Sequence, residues 1–275
     1  MVYGVSYQRT PYRLCSRGGS LSESADPARQ LLTLLWREYL PPRRRGRGPK
    51  QAVSVDAVVA AAIALADRDG YAKVSIRTVA AELGLRPMSL YTYVPSKEAL
   101  TALMADAVAE ADAPIPPELP VRDRMAAIAR QVRAELLAHP WLLEVSPWRM
   151  VLGPGRMRRY ERQLAALDGA GLSDLAMDRV VAVLSEFATG NARMAIAGSR
   201  ATAEVSDAEW WAEHGPTLTE LMPADLFPLS SRVGAAVGEF YQAPADPAGA
   251  FEYGLARLLD GILADTGSRA VNTEP

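Results

Sequence analysis

An all-α chain, with a small helical head ahead of a larger helical body, is predicted by three observations. Leucine, valine and alanine dominate a composition that is 49% hydrophobic but only 7% aromatic, a balance that favours helix over sheet. Apolar residues from position 54 onward recur at helical spacing, with no alternating run that would predict a strand. A proline cluster, Pro114, Pro116, Pro117 and Pro120, then divides the periodic segments into two unequal groups. At 275 residues, 23% of them charged, the chain has the size of one or two globular domains.

Taken in order, residues 1–25 mix Gly, Ser, Arg and Tyr without a period and read as disordered or as a non-native start. Asp26-Pro27 offers an N-cap followed by proline at the first helical position. Leu31, Leu34, Leu35 and Tyr39 share one face of a short helix that ends before Pro41-Pro42. The extension therefore covers 1–42. Arg43, Arg44, Arg45, Arg47 and Lys50 follow as a basic arm over 43–50.

Ser54 caps a helix with apolar positions Val55, Val58, Val59, Ala62, Ile63 and Ala66, closed by Asp69-Gly70. Ser75 caps a shorter one with Ile76, Val79, Ala80 and Leu83 inward and Gly84 as its stop. Pro87 opens a third, carrying Leu90 and Val94, and Pro95-Ser96 introduces a fourth through Leu100, Leu103, Met104, Ala107 and Val108. These form a head with its connecting helix over 51–112. Helical segments near 121–138, 154–168, 173–197, 206–221, 230–241 and 247–265 make a body over 113–267, with a disordered tail expected at 268–275.

Charge is divided along the chain. Residues 1–50 hold ten Lys/Arg against three Asp/Glu, or +7; the remainder hold twenty against twenty-nine, or −9, which recovers the net −2. A basic arm on an acidic body suits a polyanionic partner. Cys15 is the single cysteine, which excludes an internal disulfide and fits a reducing cytoplasm. His139 and His214 are the only histidines, so neither a metal nor a cofactor is expected. The uncharged apolar run 57–66 falls well short of the ~20 residues a membrane span needs, and no signal-peptide core precedes it.

Enzyme readings fail on residue supply, because no G-x-S-x-G elbow, P-loop or H-E-x-x-H occurs. Gly153-Pro154-Gly155-Arg156 has the look of a phosphate loop but lacks a third glycine and a preceding strand. A basic helix start after a loop is the simpler reading.

The stretch SIRTVAAELGLRPMSLYTYV at 75–94 has the mechanics of a helix-turn-helix. Ala80 is small enough for two helices to cross closely, Gly84 permits positive φ in a tight turn, and Leu85 plugs the corner. The start of the second helix would enter the major groove. Together with ADRDG at 66–70, SLYTYV at 89–94 and SKEAL at 96–100, this stretch resembles the tetracycline-repressor (TetR/AcrR) family of bacterial regulators over about 54–110. The resemblance implies an all-α protein with an N-terminal three-helix DNA-binding domain and a larger helical effector-binding and dimerisation domain. It implies operator DNA, a small-molecule effector and a second copy of the chain as partners, and most often repression. The long segment before Arg43 departs from the pattern.

Candidate DNA-side residues are the arm (Arg43, Arg44, Arg45, Arg47, Lys50), Ser75, Arg77, Pro87, Met88, Ser89, Tyr91, Thr92, Tyr93 and Lys97. Arg77 has the reach for a guanine edge or a phosphate. Met88 and Thr92 offer apolar contact to a thymine methyl, with core filling as the alternative for Met88. The resemblance places Tyr91 and Tyr93 at positions that touch backbone or base edges, packing within the head being the other reading. Lys97 opposes the macrodipole in the first turn of its helix, and a phosphate bound there would reverse that sign.

In the body, Trp141, Trp148, Trp210 and Trp211 with Met125, Met150, Tyr160 and Phe187 are candidates to line an apolar effector cavity, and His139, Asn191 and His214 its polar contacts. Ordinary core packing is the competing reading. Two stripes, Val180, Val183, Leu184, Phe187, Ala188, Asn191, Ala195 and Phe251, Leu255, Leu258, Leu259, Ile262, are long enough for half of an intermolecular four-helix bundle. Burial within one protomer competes with that as well. An interaction scaffold whose head no longer reads DNA is the alternative function.

Overall fold

A computed structural model of the chain describes residues 26–41, 53–146, 151–223, 225–241 and 243–271. Those residues are helical throughout, with no strand among them. In chain order, α1 spans Pro27–Leu35, α2 Val55–Asp69, α3 Ile76–Glu82, α4 Pro87–Leu90, α5 Lys97–Glu110 and α6 Val121–Ala138. They are followed by α7 Pro154–Leu167, α8 Asp174–Glu204, α9 Asp207–Leu221, α10 Pro228–Tyr241 and α11 Pro247–Val271. The final helix continues past the expected boundary at 267. No described helix is long and apolar enough to cross a membrane.

The predicted caps form. Ser54, Ser75, Ser96, Ser173 and Ser206 each accept a hydrogen bond from a backbone N–H in the first turn of their helix, satisfying donors that a helix start leaves unpaired. Gly70 and Gly84 take positive φ, at 84° and 65°, where a side chain would be strained. Leu85 N–H then reaches back to the Ala80 carbonyl at 2.8 Å.

Two hydrophobic cores result. The head core gathers Val58, Ala62, Val79, Ala80, Leu90, Val94, Leu100 and Met104 around α2 to α5. The body core gathers Met125, Ile128, Leu167, Leu184, Ala188, Phe251 and Leu255 from α6, α7, α8 and α11.

Three seams join head and body. Asp67 of α2 receives the Trp141 indole N–H at 2.9 Å and lies 2.9 Å from His139 Nδ1. Trp141, only 1% exposed, completes the head core from a 3-10 turn at Pro140–Glu144. At the second seam, buried Asp106 of α5 accepts N–H bonds from Gly155 and Arg156 at 3.1 and 2.9 Å. The third is made by the extension: Leu35 is buried in the head core, Arg37 pairs with Asp56, Trp36 donates to the Leu152 carbonyl at 3.0 Å, and Arg158 reaches the Tyr39 hydroxyl.

Candidate nucleic-acid interface and effector cavity

The helix-turn-helix runs from α3 through the Gly84 turn into α4. The expected third helix is shorter than its periodicity suggests, since Pro87–Leu90 gives way to a turn over 91–93. Pro95 disfavours helical backbone at Val94, while the Thr92 hydroxyl donates to the Ser89 carbonyl at 2.6 Å and Tyr93 N–H bonds Leu90 at 2.9 Å. Leu90 and Val94 are fully buried, as expected.

What remains outside is a polar tract with one apolar tip. Arg77, Arg86, Pro87, Met88, Ser89, Tyr91 and Thr92 are exposed, and Met88 is 76% exposed, which removes its core-filling alternative. Among the described residues Arg77 and Arg86 make no hydrogen bond or ion pair. By contrast Arg68 is tied to Asp69 and Glu82, and these two carboxylates raise its pKa. The face thus keeps two uncommitted guanidiniums beside a donor-bearing tyrosine, the chemistry that phosphates and base edges need. Arg86, just ahead of Pro87, was legible as a basic residue at the mouth of the recognition helix.

Three candidates also carry structural duties. Ser75 forms a capping box with Thr78. Tyr93 is half-buried against the head core. Lys97 Nζ lies 4.4 Å from the Tyr71 ring centroid, a contact that offsets its poor position in the helix without any anion. Its neighbour Ser96 Oγ already takes the Ala99 N–H. Arg43, Arg44, Arg45, Arg47 and Lys50 lie outside the described residues.

A cavity of about 470 Å³ opens between α6, α7, α8 and the stretch leading from Trp141 to α7, within the range of small-molecule sites. Leu136, Leu142, Leu143, Val145, Leu152 and Met157 supply apolar wall; Glu135, Arg156, Arg159, Tyr160, Gln163, Ser185, Thr189 and Arg193 supply polar groups. Arg159 bridges Asp112 and Glu135, and burial lowers its pKa despite both partners. Burial likewise lowers that of Arg156. Tyr160 donates to Asp178 at 2.9 Å, which holds its phenol protonated above the usual value.

Of the expected effector contacts, Tyr160 alone lines this cavity. Trp141 and His139 are spent on Asp67, because an indole N–H entering a core seeks an acceptor. Met125 is fully buried in the body core, and Phe187 stacks on Phe251 with ring centroids 5.4 Å apart. Asn191 accepts from Arg133 and donates to the Pro247 carbonyl, both at 2.7 Å, so it pins α8 to α6 and α11. Trp210 stacks on His214 within exposed α9, away from the cavity; Trp148 and Met150 lie outside the described residues. The missed residues had a signal: Arg156, Arg159, Tyr160 and Gln163 follow i, i+3, i+4, i+7 along one face.

The expected dimer stripes are corrected too. Val180, Leu184, Ala188, Phe251, Leu255 and Leu259 are buried within the protomer, with Leu258 and Ile262 packed against the same core and Ala195 half-buried. Only Val183 of that set is exposed. Apolar periodicity identifies a buried face without saying which partner buries it. The Gly153-Gly155 stretch proves to be an anion site filled from within, by the Asp106 carboxylate: a Cβ on Gly153 would lie 2.4 Å from Asp106 Cγ.

Fold and site define a helix-turn-helix transcriptional regulator that reads DNA with its head and carries a cavity in its helical body. The bacterial regulatory protein pattern of the tetR family matches residues 58–104, and the tetracyclin repressor-like C-terminal domain matches 113–266. The HTH-type transcriptional repressor DrrR1 of Streptomyces coeruleorubidus is 35% identical over 270 residues, covering 94% of each chain. The crystal structure of apo ActR from Streptomyces coelicolor is 27% identical with a TM-score of 0.62, covering 82% of this chain and all of that one. The ActR complex with actinorhodin superposes with a TM-score of 0.63 at 27% identity, covering 78% of this chain and 97% of that one. The chain belongs to the tetR family of bacterial regulatory proteins.

Proposed function

We propose that the protein is a homodimeric repressor that holds a two-fold symmetric operator with a pair of heads and leaves it when a small molecule fills the cavity. One observation carries the effector reading. Leu142 and Val145 pack against the head core and line the cavity at once. A ligand there presses on residues that hold the head in place, giving it different contacts in the bound and released arrangements. DrrR1 is a repressor by name, and ActR is solved with actinorhodin; both agree with this reading.

The DNA contacts we assign are Arg77, Arg86, Met88, Ser89, Tyr91 and Thr92, supported by the basic arm at 43–50 and by a phosphate near Lys97. For pairing, α9 and α10 bury no residue in the protomer. Leu221, Leu229 and Phe240, the last 82% exposed, stand on them in open solvent. An apolar surface of this kind is covered in a working protein, and a second copy of the chain is the occupant the paired-head requirement calls for.

Selection of DNA from a random pool by the intact protein tests the proposal. The expected footprint has two half-sites about one helical turn or a multiple apart, two protomers per duplex, and lower transcription from a promoter carrying it. One protomer per duplex, or no sequence preference, overturns it.

A further inference from the structure

The polar lining of the cavity divides into groups the protein has already used and groups it has not. Arg159 is engaged by Asp112 and Glu135. The hydroxyls of Tyr160, Ser185 and Thr189 donate to Asp178, the Val181 carbonyl and the Ser185 carbonyl. Two groups remain. Gln163 is only 6% exposed, yet its amide has no hydrogen-bond partner among the described residues. Arg193, exposed on α8 where that helix lines the cavity, has neither an ion-pair nor a hydrogen-bond partner among them.

A buried amide left unpaired costs free energy, so the site favours an occupant that completes it. Three guanidiniums line the cavity against one carboxylate, and that carboxylate, Glu135, is held by Arg159. The potential inside is therefore positive. A cationic ligand finds no uncommitted acceptor of its charge in this lining. An anionic one finds Arg193 ready, and a carbonyl oxygen finds the Gln163 amide. The aliphatic wall requires the rest of the molecule to be apolar.

We infer that the effector is an apolar organic acid bearing a ring carbonyl: the carbonyl accepts from Gln163, the acidic group pairs with Arg193, and the apolar body lies against the aliphatic wall. The inference rests on the cavity being the effector site.

The test titrates the intact protein, free of DNA, with anthraquinone carboxylate, the matching carboxamide and the matching aminomethyl compound, by isothermal calorimetry. The carboxylate is expected to bind on the order of tenfold tighter than the carboxamide, the scale of a charge-assisted bond, and the amine weakest. Arg193→Met removes the preference for the acid without weakening the carboxamide. Gln163→Leu weakens acid and amide together, while Gln163→Glu keeps the volume and rejects the acid selectively. Because Arg193 is exposed, its variant carries the test even where a Gln163 variant fails to fold. Equal binding of the three compounds, tightest binding of the amine, binding of none, or an acid preference that survives Arg193→Met each overturns the inference. Failure of the repressor reading looks different: the ligand ranking holds while the protein shows no operator preference.

Discussion

In the head, α2, α3, α4 and α5 close around Val58, Val79, Leu90 and Leu100, each fully buried, and no cavity interrupts that core among the described residues. In the body, α6, α7, α8 and α11 close around Met125, Leu184 and Leu255 just as tightly, yet leave about 470 Å³ beside that core and carry α9 and α10, which bury nothing. Reading base edges demands groups held rigidly, so the head fixes its recognition turn from beneath by Leu90 and Val94. Answering a ligand demands room and a wall that communicates. The contrast places the functional coupling at the seams, where Trp141, Asp106 and Trp36 cross from one region to the other.

The sharpest way to break this comparison is Trp141→Ala. Emptying a fully buried indole site costs about 3–5 kcal/mol. Because Trp141 comes from the body's side of the chain but fills the head, head and body should lose stability together in one denaturant transition. A head that melts at an unchanged midpoint would show that the two regions are independent. Next in size is Gly155→Ala. Its Cβ would stand 2.1 Å from the Asp106 backbone oxygen, so α5 and α7 must separate, at a cost of about 1–3 kcal/mol in chemical denaturation. An unchanged midpoint there would mean the seam is loose.

Trp36→Phe keeps the ring's bulk and deletes the N–H that reaches the Leu152 carbonyl. The expected loss is about 0.5–1.5 kcal/mol, read as a lower melting temperature. Deleting residues 1–40 should cost more, because Leu35 leaves the head core with it. No loss in either would return the extension to an appended tail. The smallest effect belongs to the solvent-facing pair Arg130–Glu252 between α6 and α11. The Arg130 guanidinium holds the Glu252 carboxyl below its ordinary value. Its stabilisation is therefore present above the usual carboxylate range and lost as pH falls through it. Glu252→Gln should cost about 0.2–1 kcal/mol at neutral pH, and the difference from wild type should vanish on acidification.

Much of the head was legible because its determinants are local. Ser54, Ser75 and Ser96 cap their own helices, and Gly70 and Gly84 mark turns that positive φ requires. The reading face was legible by subtraction, as what the buried Ile76, Val79, Leu90 and Val94 leave outside. The body was legible as helices but not as a site. Trp141 meets Asp67 across a separation of 74 residues, which no local pattern displays, so a conspicuous indole was assigned to the cavity while the Arg156 to Gln163 face went unread. The dimer stripes failed for a related reason: Leu184 and Leu255 bury against their own protomer, and the uncovered apolar residues sit on α9 and α10, where their spacing is less regular.

The most direct test of the account measures the affinity of Arg77→Ala and Tyr91→Ala for the selected operator across a salt series, with the mass of each variant in solution as control. The account predicts that each loses about 1–3 kcal/mol of operator binding while the mass in solution and the ligand ranking stay as in the wild type. Operator affinity equal to the wild type in both variants would contradict it, because the exposed face of α3 and α4 would then not be what reads DNA.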